Sequence, residues 1–144
     1  MQIKQFAAKF NIQPDTIRYY EKEGVLKPKR QDNGYRTYDE VCVQQLQFIL
    51  VLKQLGFTIK EIRQLLSLKG KPASELCNQM SVALFEDKIT LLEQKIKFYQ
   101  VAIKALNTAK ELMSNGKYAE NELIMEEMIL KMFMQGQGQA VYDD

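Results

Sequence analysis

Two short stretches, TIRYYE at residues 16–21 and NGYRTY at residues 33–38, are the most informative part of this chain. Each combines arginine with tyrosine. An arginine fork binds phosphate through two parallel hydrogen bonds, and tyrosine adds a flat apolar ring with a hydroxyl group. Neither stretch supplies the paired nucleophile and base that a catalytic pocket needs. The two stretches are therefore suited to hold nucleic acid from two directions.

The residues around the first stretch predict two short helices joined by a turn. Apolar side chains recur on one helical face of residues 2–10, namely Ile3, Phe6, Ala7 and Phe10. Pro14 suits the first position of a second helix, residues 14–22, because its missing N–H costs nothing there. Gly24 marks the end of that helix. Two helices with so short a turn predict a helix-turn-helix, whose second helix would be the recognition helix.

The second stretch predicts a wing. Asn33-Gly34 between short extended segments is a strong hairpin signal, and we expect the hairpin over residues 27–38. Two further helices should follow. The third, residues 39–55, would pack through apolar positions at Val43, Leu46, Ile49 and Leu50 and end at Gly56. Thr58 would cap the fourth, which reaches residue 68, with Glu61 at the capping-box position.

A composition break at Gly70-Lys71-Pro72 predicts a domain boundary. We expect a winged helix-turn-helix domain over residues 1–69, a linker and dimerisation helix over 70–116, and a C-terminal packing helix with a flexible tail over 117–144. The long helix would begin near residue 73 and end near 114, a length of ~60 Å at 1.5 Å per residue. The tail, residues 135–139, shows no periodicity and is expected to be disordered.

A heptad repeat runs along the long helix. Its apolar positions alternate four and three residues apart: Phe85, Ile89, Leu92, Ile96, Tyr99, Ile103 and Leu106. A 3.5-residue repeat sustained in this way is typical of a coiled-coil seam. A lone helix cannot bury so narrow a stripe, and too little chain remains to cover its length. The repeat therefore predicts a dimer.

Charge and composition exclude several classes of protein. The chain has 144 residues and a formal net charge of +2, but residues 1–69 hold 12 Lys/Arg against 7 Asp/Glu, and residues 70–144 hold 8 against 11. A basic front and an acidic rear suit a nucleic-acid-binding end joined to a partner- or ligand-facing end. There is no His, so Ser-His-Asp and Cys-His catalysis and histidine metal sites are excluded. We predict that the protein is not an enzyme and has no cofactor.

Neither a membrane segment nor a secretory signal is evident. The longest apolar run, residues 48–52, is far shorter than the roughly 20 residues that span a bilayer. Lysines at positions 4 and 9 interrupt the N-terminus, and the two cysteines do not make a secreted disulfide scaffold. We expect a cytoplasmic protein with no membrane partner.

Residues 1 to about 69 resemble the DNA-binding domain of the MerR family of bacterial transcription regulators. The matching residues, in chain order, are Ile3, Phe10, TIRYYE at 16–21, Gly24-Val25-Leu26, Pro28, Arg30, GYRTY at 34–38, Val41, Leu46, Phe48-Ile49, LGFTI at 55–59, Glu61-Ile62 and Leu65-Leu66. Beyond residue 70 the likeness is architectural, a long helix. Gln13 departs from the Ser or Thr common at the start of the recognition helix in this family.

The resemblance implies a mainly α fold, in which a winged helix-turn-helix is followed by a long helix that pairs antiparallel with its mate in a homodimer. It also implies a pseudo-palindromic double-stranded DNA operator, action on RNA polymerase at a promoter, and activation by bending and untwisting the DNA. An unknown small-molecule or redox effector would bias the dimer between two states.

The same resemblance assigns DNA contacts to individual residues. In the recognition helix, Arg18 and Tyr20 would face DNA, whereas Ile17, with Tyr19 as a further candidate, would hold the helix on its domain. Thr16 would touch a base edge or a thymine methyl. The remaining expected contacts lie in the wing and at the start of the fourth helix: Gly34, Tyr35, Arg36, Tyr38 and Lys60.

The effector site is left open by the sequence. Metal-sensing members of the family carry a cysteine near the start of the dimer helix, about where Cys77 lies, and usually a ligand pair in a loop after that helix. Here that loop has no cysteine. Cys77 is therefore either a sensor, acidified by a helix N-terminus, or a small buried hydrophobe like Cys42. Met128 and Met132 are candidate effector contacts. Methionines 113, 125, 128, 132 and 134 could bind a soft metal through their thioethers, but the sequence favours an adaptable apolar surface that packs on the dimer helix or lines an effector pocket.

A different class of function also fits the pattern. The winged helix could bind protein, which would make the chain a dimeric coiled-coil adaptor. Steep weakening of DNA binding with rising salt would distinguish the regulator from the adaptor.

Overall fold

The computed structural model describes residues 1–72 and 74–136, with side chains described up to residue 134. The chain divides into two compact units, Met1–Leu84 and Phe85–Asp144, which we describe separately. Apart from a two-stranded sheet in the first unit, the regular structure of the described residues is helical. Of the predicted tail, residues 137–139 lie outside the described residues, and 135 and 136 belong to the last helix.

The first unit contains four short helices and a hairpin. In chain order they are α1 (Ile3–Lys9), α2 (Pro14–Lys22), β1 (Lys29–Arg30), β2 (Arg36–Thr37), α3 (Glu40–Gln54) and α4 (Ile59–Ser67). The predicted helix-turn-helix, wing and two following helices are therefore all present. Pro14 is the first residue of α2, and Gln13 caps that helix without a side-chain hydrogen bond.

Two side-chain caps begin the helices that follow the wing. The Asp39 carboxylate accepts a hydrogen bond of 3.2 Å from the Cys42 N–H at the start of α3. Thr58 and Glu61 form the predicted capping box at the start of α4, with Glu61 N to Thr58 Oγ1 at 3.1 Å and Thr58 N to Glu61 Oε1 at 2.9 Å. These bonds satisfy backbone donors that a helix otherwise leaves unpaired.

One apolar core holds the first unit together. Its fully buried members come from α1, α2, the segment after α2, the end of the wing, and α3 and α4, and the largest are Tyr38, Phe6, Ile17, Leu26, Leu46, Ile49 and Ile62. Ile3, Phe10 and Leu50 pack against it as partly buried side chains. The predicted inner faces of α1 and α3 are thus confirmed. The core fixes the orientation of α2 and of the wing, which carry the expected DNA contacts.

A single long helix, α5 (Glu75–Ser114), contains 40 residues. Ser74 caps it, because its hydroxyl oxygen accepts a hydrogen bond of 3.2 Å from the Cys77 N–H. The predicted heptad residues lie in the second unit, and six of the seven are exposed there, with exposed fractions from 45% at Phe85 to 70% at Leu106; Leu92 is partly buried. The chain by itself therefore leaves this apolar stripe open to solvent.

A turn of 3-10 helix, Ala119–Asn121, leads into α6 (Glu122–Gly136). The buried residue of α6 is Met125, and Met128 and Met132, three and seven positions on, are partly buried. Leu123, Ile124, Ile129 and Phe133, apolar residues of the same helix, are more than half exposed in the single chain. In the described part of the chain, no helix has both the length and the apolar character needed to cross a membrane.

Candidate nucleic-acid interface

The recognition helix α2 turns one of its two adjacent tyrosines inward. Tyr20 is buried with 6% of its surface exposed, Ile17 is fully buried, and Tyr19 is 48% exposed. The expectation that Tyr20 faces DNA while Tyr19 packs on the domain is therefore wrong. Tyr20 lies three residues after Ile17 and so shares its face, whereas Tyr19 is rotated about 100° from Tyr20. Burial, followed by the neighbouring Tyr19, raises the pKa of Tyr20, so its hydroxyl stays neutral.

The outer face of α2 presents Thr16, Arg18 and Tyr19. Thr16 is partly buried near the helix start, and Arg18, two residues further along, is exposed. The Arg18 guanidinium is held by the Asp15 carboxylate, with Nη1 and Oδ1 at 2.6 Å. That ion pair is exposed and contributes little to stability. It nevertheless leaves further N–H donors of the arginine fork for a ligand.

The wing is a tight antiparallel hairpin. Lys29 pairs with Thr37 and Arg30 with Arg36, and the Gln31 N–H donates to the Tyr35 carbonyl at 2.9 Å to close the loop. Gly34 has a φ of +83°, a conformation that a side chain would strain. The turn leaves Tyr35 at its tip with 71% of its surface exposed. The predicted hairpin is confirmed, and Gly34 serves its shape.

Tyr38, at the base of the wing, faces the core. None of its surface is exposed, so the expectation that it contacts DNA is wrong. Its ring stacks on Phe6, and its hydroxyl donates a short hydrogen bond to Glu21 Oε1. Burial, with the hydrogen bond to Glu21 second, raises the pKa of Tyr38 well above its usual range. The physical reason for the burial is that Phe6 of α1, itself fully buried, provides a ring on which Tyr38 stacks.

Arg36 connects the wing to the recognition helix. Its Nε lies 2.6 Å from Glu21 Oε2, and its side chain remains 44% exposed while that of Glu21 is only 11% exposed. Each oxygen of the Glu21 carboxylate thus accepts a hydrogen bond from one wing residue, Arg36 or Tyr38. A charge-assisted pair that is largely covered from solvent holds geometry better than an open surface pair.

A groove of about 850 Å³ lies between the N-terminal residues, the recognition helix and the wing. Its walls include Arg18 from α2 together with Tyr35 and Arg36 from the wing. Amide side chains add to the same walls, from Gln2, Gln5, Gln31 and Asn33. Arginine, tyrosine and amide groups around one concave surface are suited to hydrogen-bond phosphate and base edges.

Lys60 lies apart from this groove in the sequence, as the second residue of α4, and its side chain is exposed. The amides of that helix end and the lysine charge both favour an anion.

Two residues of this surface were not assigned by sequence reasoning. Tyr19 was placed on the wrong side of the helix, and Glu21 was read only as part of the TIRYYE pattern. The spacing of Ile17 and Tyr20 could have identified the inner face, since residues three apart share one side of a helix. The bonds of Glu21 to residues 15 and 17 positions away have no local sequence signal.

The two cysteines have different surroundings. Cys42 is buried, its Sγ lies 3.7 Å from the Lys27 carbonyl oxygen, and burial raises its pKa. Cys77, in the first turn of α5, is partly buried. It lines a cavity of about 190 Å³ between α4 and α5, with Leu65, Leu68, Met80 and Leu84 among its neighbours. Within residues 1–72 and 74–136, His, Cys, Asp and Glu form no group of three or more that could hold a metal ion.

The fold and the groove together define a winged helix-turn-helix DNA-binding protein. Two family descriptions match the chain: "MerR HTH family regulatory protein" over residues 1–69 and "MerR, DNA binding" over residues 43–109. The HTH-type transcriptional regulator ZntR of Escherichia coli (strain K12) is 35% identical over 111 residues, which cover 74% of this chain and 78% of that protein. The mercuric resistance operon regulatory protein of Bacillus cereus is 31% identical over 133 residues, which cover 92% of this chain and 96% of that protein.

Two solved structures of transcription regulators also resemble this chain. The transcription regulator PbrR691 from Ralstonia metallidurans CH34, in complex with lead(II), matches with a TM-score of 0.54 and 33% identity, covering 77% of this chain and 86% of that one. The N-terminal part of MtaN, the Bacillus subtilis multidrug transporter activator, has the same fold, with a TM-score of 0.52 at 24% identity. The chain belongs to the MerR family of helix-turn-helix transcription regulators, whose members bind DNA.

Proposed function

We propose that the protein is a homodimeric, effector-responsive regulator that binds a pseudo-palindromic DNA operator and controls RNA polymerase by distorting promoter DNA. The observation that carries this proposal is the groove in which Arg18 of the recognition helix meets Tyr35 and Arg36 of the wing. Tyr19, exposed on the same helix, replaces Tyr20 as a proposed contact. Thr16 and Lys60 complete the set. The wing contacts hold the backbone, and the helix reads the major groove.

The dimer of this proposal forms through α5. The exposed stripe from Phe85 to Leu106 would pack against the same stripe of a second copy, running antiparallel. Burying these side chains removes apolar surface from water, which is the main driving force for such association. Two recognition helices at the ends of the dimer would enter successive major grooves, about 34 Å apart.

Distortion of the promoter follows from that geometry. Smooth bending of a short site costs of order 1–6 kcal/mol, which contacts to the bent form must offset. An effector can shift the dimer toward the distorting state only as far as it binds that state more tightly. We retain residues 1–69, 70–116 and 117–144 as the proposed division into DNA-binding, dimerisation and C-terminal parts, and the cytoplasm as the compartment.

The proposed effector is an organic molecule, or an oxidant that acts on Cys77. The partly buried Met128 and Met132 of α6 offer an adaptable apolar surface for an organic molecule. A soft metal ion is the second candidate, because several relatives are named for mercury or heavy metals and one was solved with lead(II). With no His and only two cysteines in the chain, one subunit has few soft ligands for such an ion.

The test of DNA binding starts from a pool of random duplexes. The full chain should enrich an inverted repeat, and binding to that repeat should weaken steeply as salt rises because several phosphates are neutralised. Electrophoresis of the complex with the site placed at different positions along a fragment measures the bend. A chain that enriches no sequence would instead favour the protein-binding adaptor.

A further inference from the structure

The proposal concerns Glu21, a residue of the recognition helix that faces the wing. Its side chain is 11% exposed, and its two carboxylate oxygens are taken by two different wing residues. No other ion pair among the described residues joins α2 to the wing. Glu21 is therefore the charged link between the two elements that border the groove.

We propose that Glu21 is a positioning residue for DNA binding, which fixes the Arg36 guanidinium so that its remaining N–H donors meet a phosphate. This inference rests on the proposed function, in which Arg36 is a phosphate contact. The bond to Glu21 uses Nε of Arg36, at 2.6 Å. A guanidinium carries further donors on its two terminal nitrogens, in a rigid plane. Holding Nε therefore fixes the direction of the others.

The partner on the second oxygen strengthens this role. The Tyr38 hydroxyl donates to Oε1 of Glu21, and its ring is fully buried against Phe6. The carboxylate is thus anchored to the core through the buried Tyr38. An arginine held in advance loses less side-chain entropy when it binds, because fewer rotamers must be frozen at that step.

Electrostatic repulsion alone predicts the opposite change in DNA affinity when Glu21 is neutralised, so the direction of that change tests the proposal. A carboxylate beside a DNA-binding groove repels phosphate, so removing its charge should strengthen DNA binding. Glu21→Gln keeps the shape but replaces one of the two accepting oxygens with an NH₂ donor, so either Arg36 or Tyr38 loses the acceptor that it has in the parent chain. If Glu21 positions Arg36, this variant weakens binding even though the protein gains positive charge.

The experiment measures the affinity of the full chain for the enriched duplex over a range of salt concentrations. We expect Glu21→Gln to weaken DNA binding about tenfold. The fall of log K with log salt should become shallower by about one, as we also expect for Arg36→Ala. In the Arg36→Ala background, Glu21→Gln should weaken binding no further. The matched control is Glu23→Gln, which removes the same charge two residues further along the chain. Glu23 pairs with Arg63 and not with the wing, so this variant should not weaken DNA binding.

The outcomes separate this inference from the function on which it rests. If Arg36→Ala leaves binding and slope unchanged, Arg36 is not a phosphate contact and that part of the proposed function fails. If Arg36→Ala weakens DNA binding while Glu21→Gln strengthens it, the proposed function stands and the positioning role is wrong. The same conclusion follows if Glu21→Gln weakens binding equally in the parent chain and in the Arg36→Ala variant.

A second variant covers the case in which Glu21→Gln does not fold. Arg36→Lys keeps the positive charge but has a single nitrogen, which cannot bind Glu21 and a phosphate in the planar geometry of arginine. Its affinity should fall nearly as far as that of Arg36→Ala, and full retention of affinity would overturn the proposal.

Discussion

The ring of Tyr38 stacks on the ring of Phe6, with centroids 4.6 Å apart and planes inclined by 15°. Both side chains are fully buried. The last residue of the wing is thereby packed onto the first helix, and the Tyr38 N–H and carbonyl also pair with Met1, at 2.9 Å and 3.0 Å. The wing is consequently part of the core at its base, whereas residues 29–36 remain exposed.

This packing makes Tyr38 a stability residue. Tyr38→Ala should lower the free energy of unfolding by about 3–5 kcal/mol, as deletion of a buried aromatic ring does. Tyr38→Phe keeps the ring and loses only the hydrogen bond to Glu21, at a cost of about 1–3 kcal/mol. Urea denaturation followed by circular dichroism measures both. Equal losses for the two variants would show that the stacked ring contributes nothing.

The exposed arginines should govern DNA binding without affecting the fold. Arg18→Ala and Arg36→Ala should each weaken operator binding by about 1–3 kcal/mol and leave the dimer intact, and Arg18→Ala should also leave the melting temperature nearly unchanged. Fluorescence anisotropy with a labelled duplex measures the affinity. Lys97→Ala, on α5 outside the groove, controls for the loss of one positive charge. Normal binding by the double variant would mean that the DNA-binding face has been misassigned.

The apolar stripe of α5 should hold the dimer. Ile96 is 55% exposed in the single chain, and Ile96→Asp would place an unpaired charge in the proposed interface at a cost of several kcal/mol. Analytical ultracentrifugation should show a monomer. DNA affinity should also collapse, since two half-sites can no longer be bound together. Gln94→Asp, nearly opposite on the helix, should remain dimeric; a dimeric Ile96→Asp would place the interface elsewhere.

Asp39 should give the first unit a measurable dependence on acid. The hydrogen bond from Lys29, followed by that from the Cys42 N–H, lowers the pKa of Asp39 from 3.8 to about 2. A group whose pKa is lowered in the folded state stabilises it above the unfolded value and loses that contribution as the pH falls through the folded value. Its stabilisation is therefore complete above pH 3.8 and disappears toward pH 2.

The measurement compares melting temperatures of the parent chain and of Asp39→Asn. Asparagine still caps the helix but does not titrate, so the difference between the two proteins should shrink as the pH falls from about 5 to 2. Asp32→Asn, in the exposed wing loop, is the control. A difference that stays constant over that range would contradict the assigned role of Asp39.

Sensing can be tested at Cys77. Cys77→Ser should abolish any response of transcription to oxidants and leave a response to an organic molecule intact. Calorimetry with Zn, Cu(I) and Hg ions should show nothing tighter than ordinary thiol binding, because one subunit offers few soft ligands. Cys42→Ser serves as the comparison for the other thiol. Stoichiometric, sub-micromolar binding of a metal that also switches transcription would establish the metal sensor instead.

Local signals in the sequence were sufficient for the order of the elements and, within about two residues, for the ends of those in the DNA-binding domain. Pro14 at the start of α2, Asn33-Gly34 in the wing, and the Thr58 and Glu61 capping box each act within a few residues, so their physics is contained in the sequence itself. The heptad of α5 is equally local, since it depends only on the spacing of apolar residues along one helix.

The tertiary structure decided which side chains the surface presents. The spacing of Ile17 and Tyr20 is a local signal for the inner face of α2, but the burial of Tyr38 is not local, because Phe6, distant in sequence, provides the ring on which it stacks. Likewise, Glu21 meets Arg36 and Tyr38 across separations of 15 and 17 residues. Burial and such pairings depend on contacts between separate elements, whose geometry exists only once the core has packed. The sequence alone therefore determined a winged helix followed by a long helix with a heptad stripe, and only the packed core decided which side chains of the winged helix are exposed.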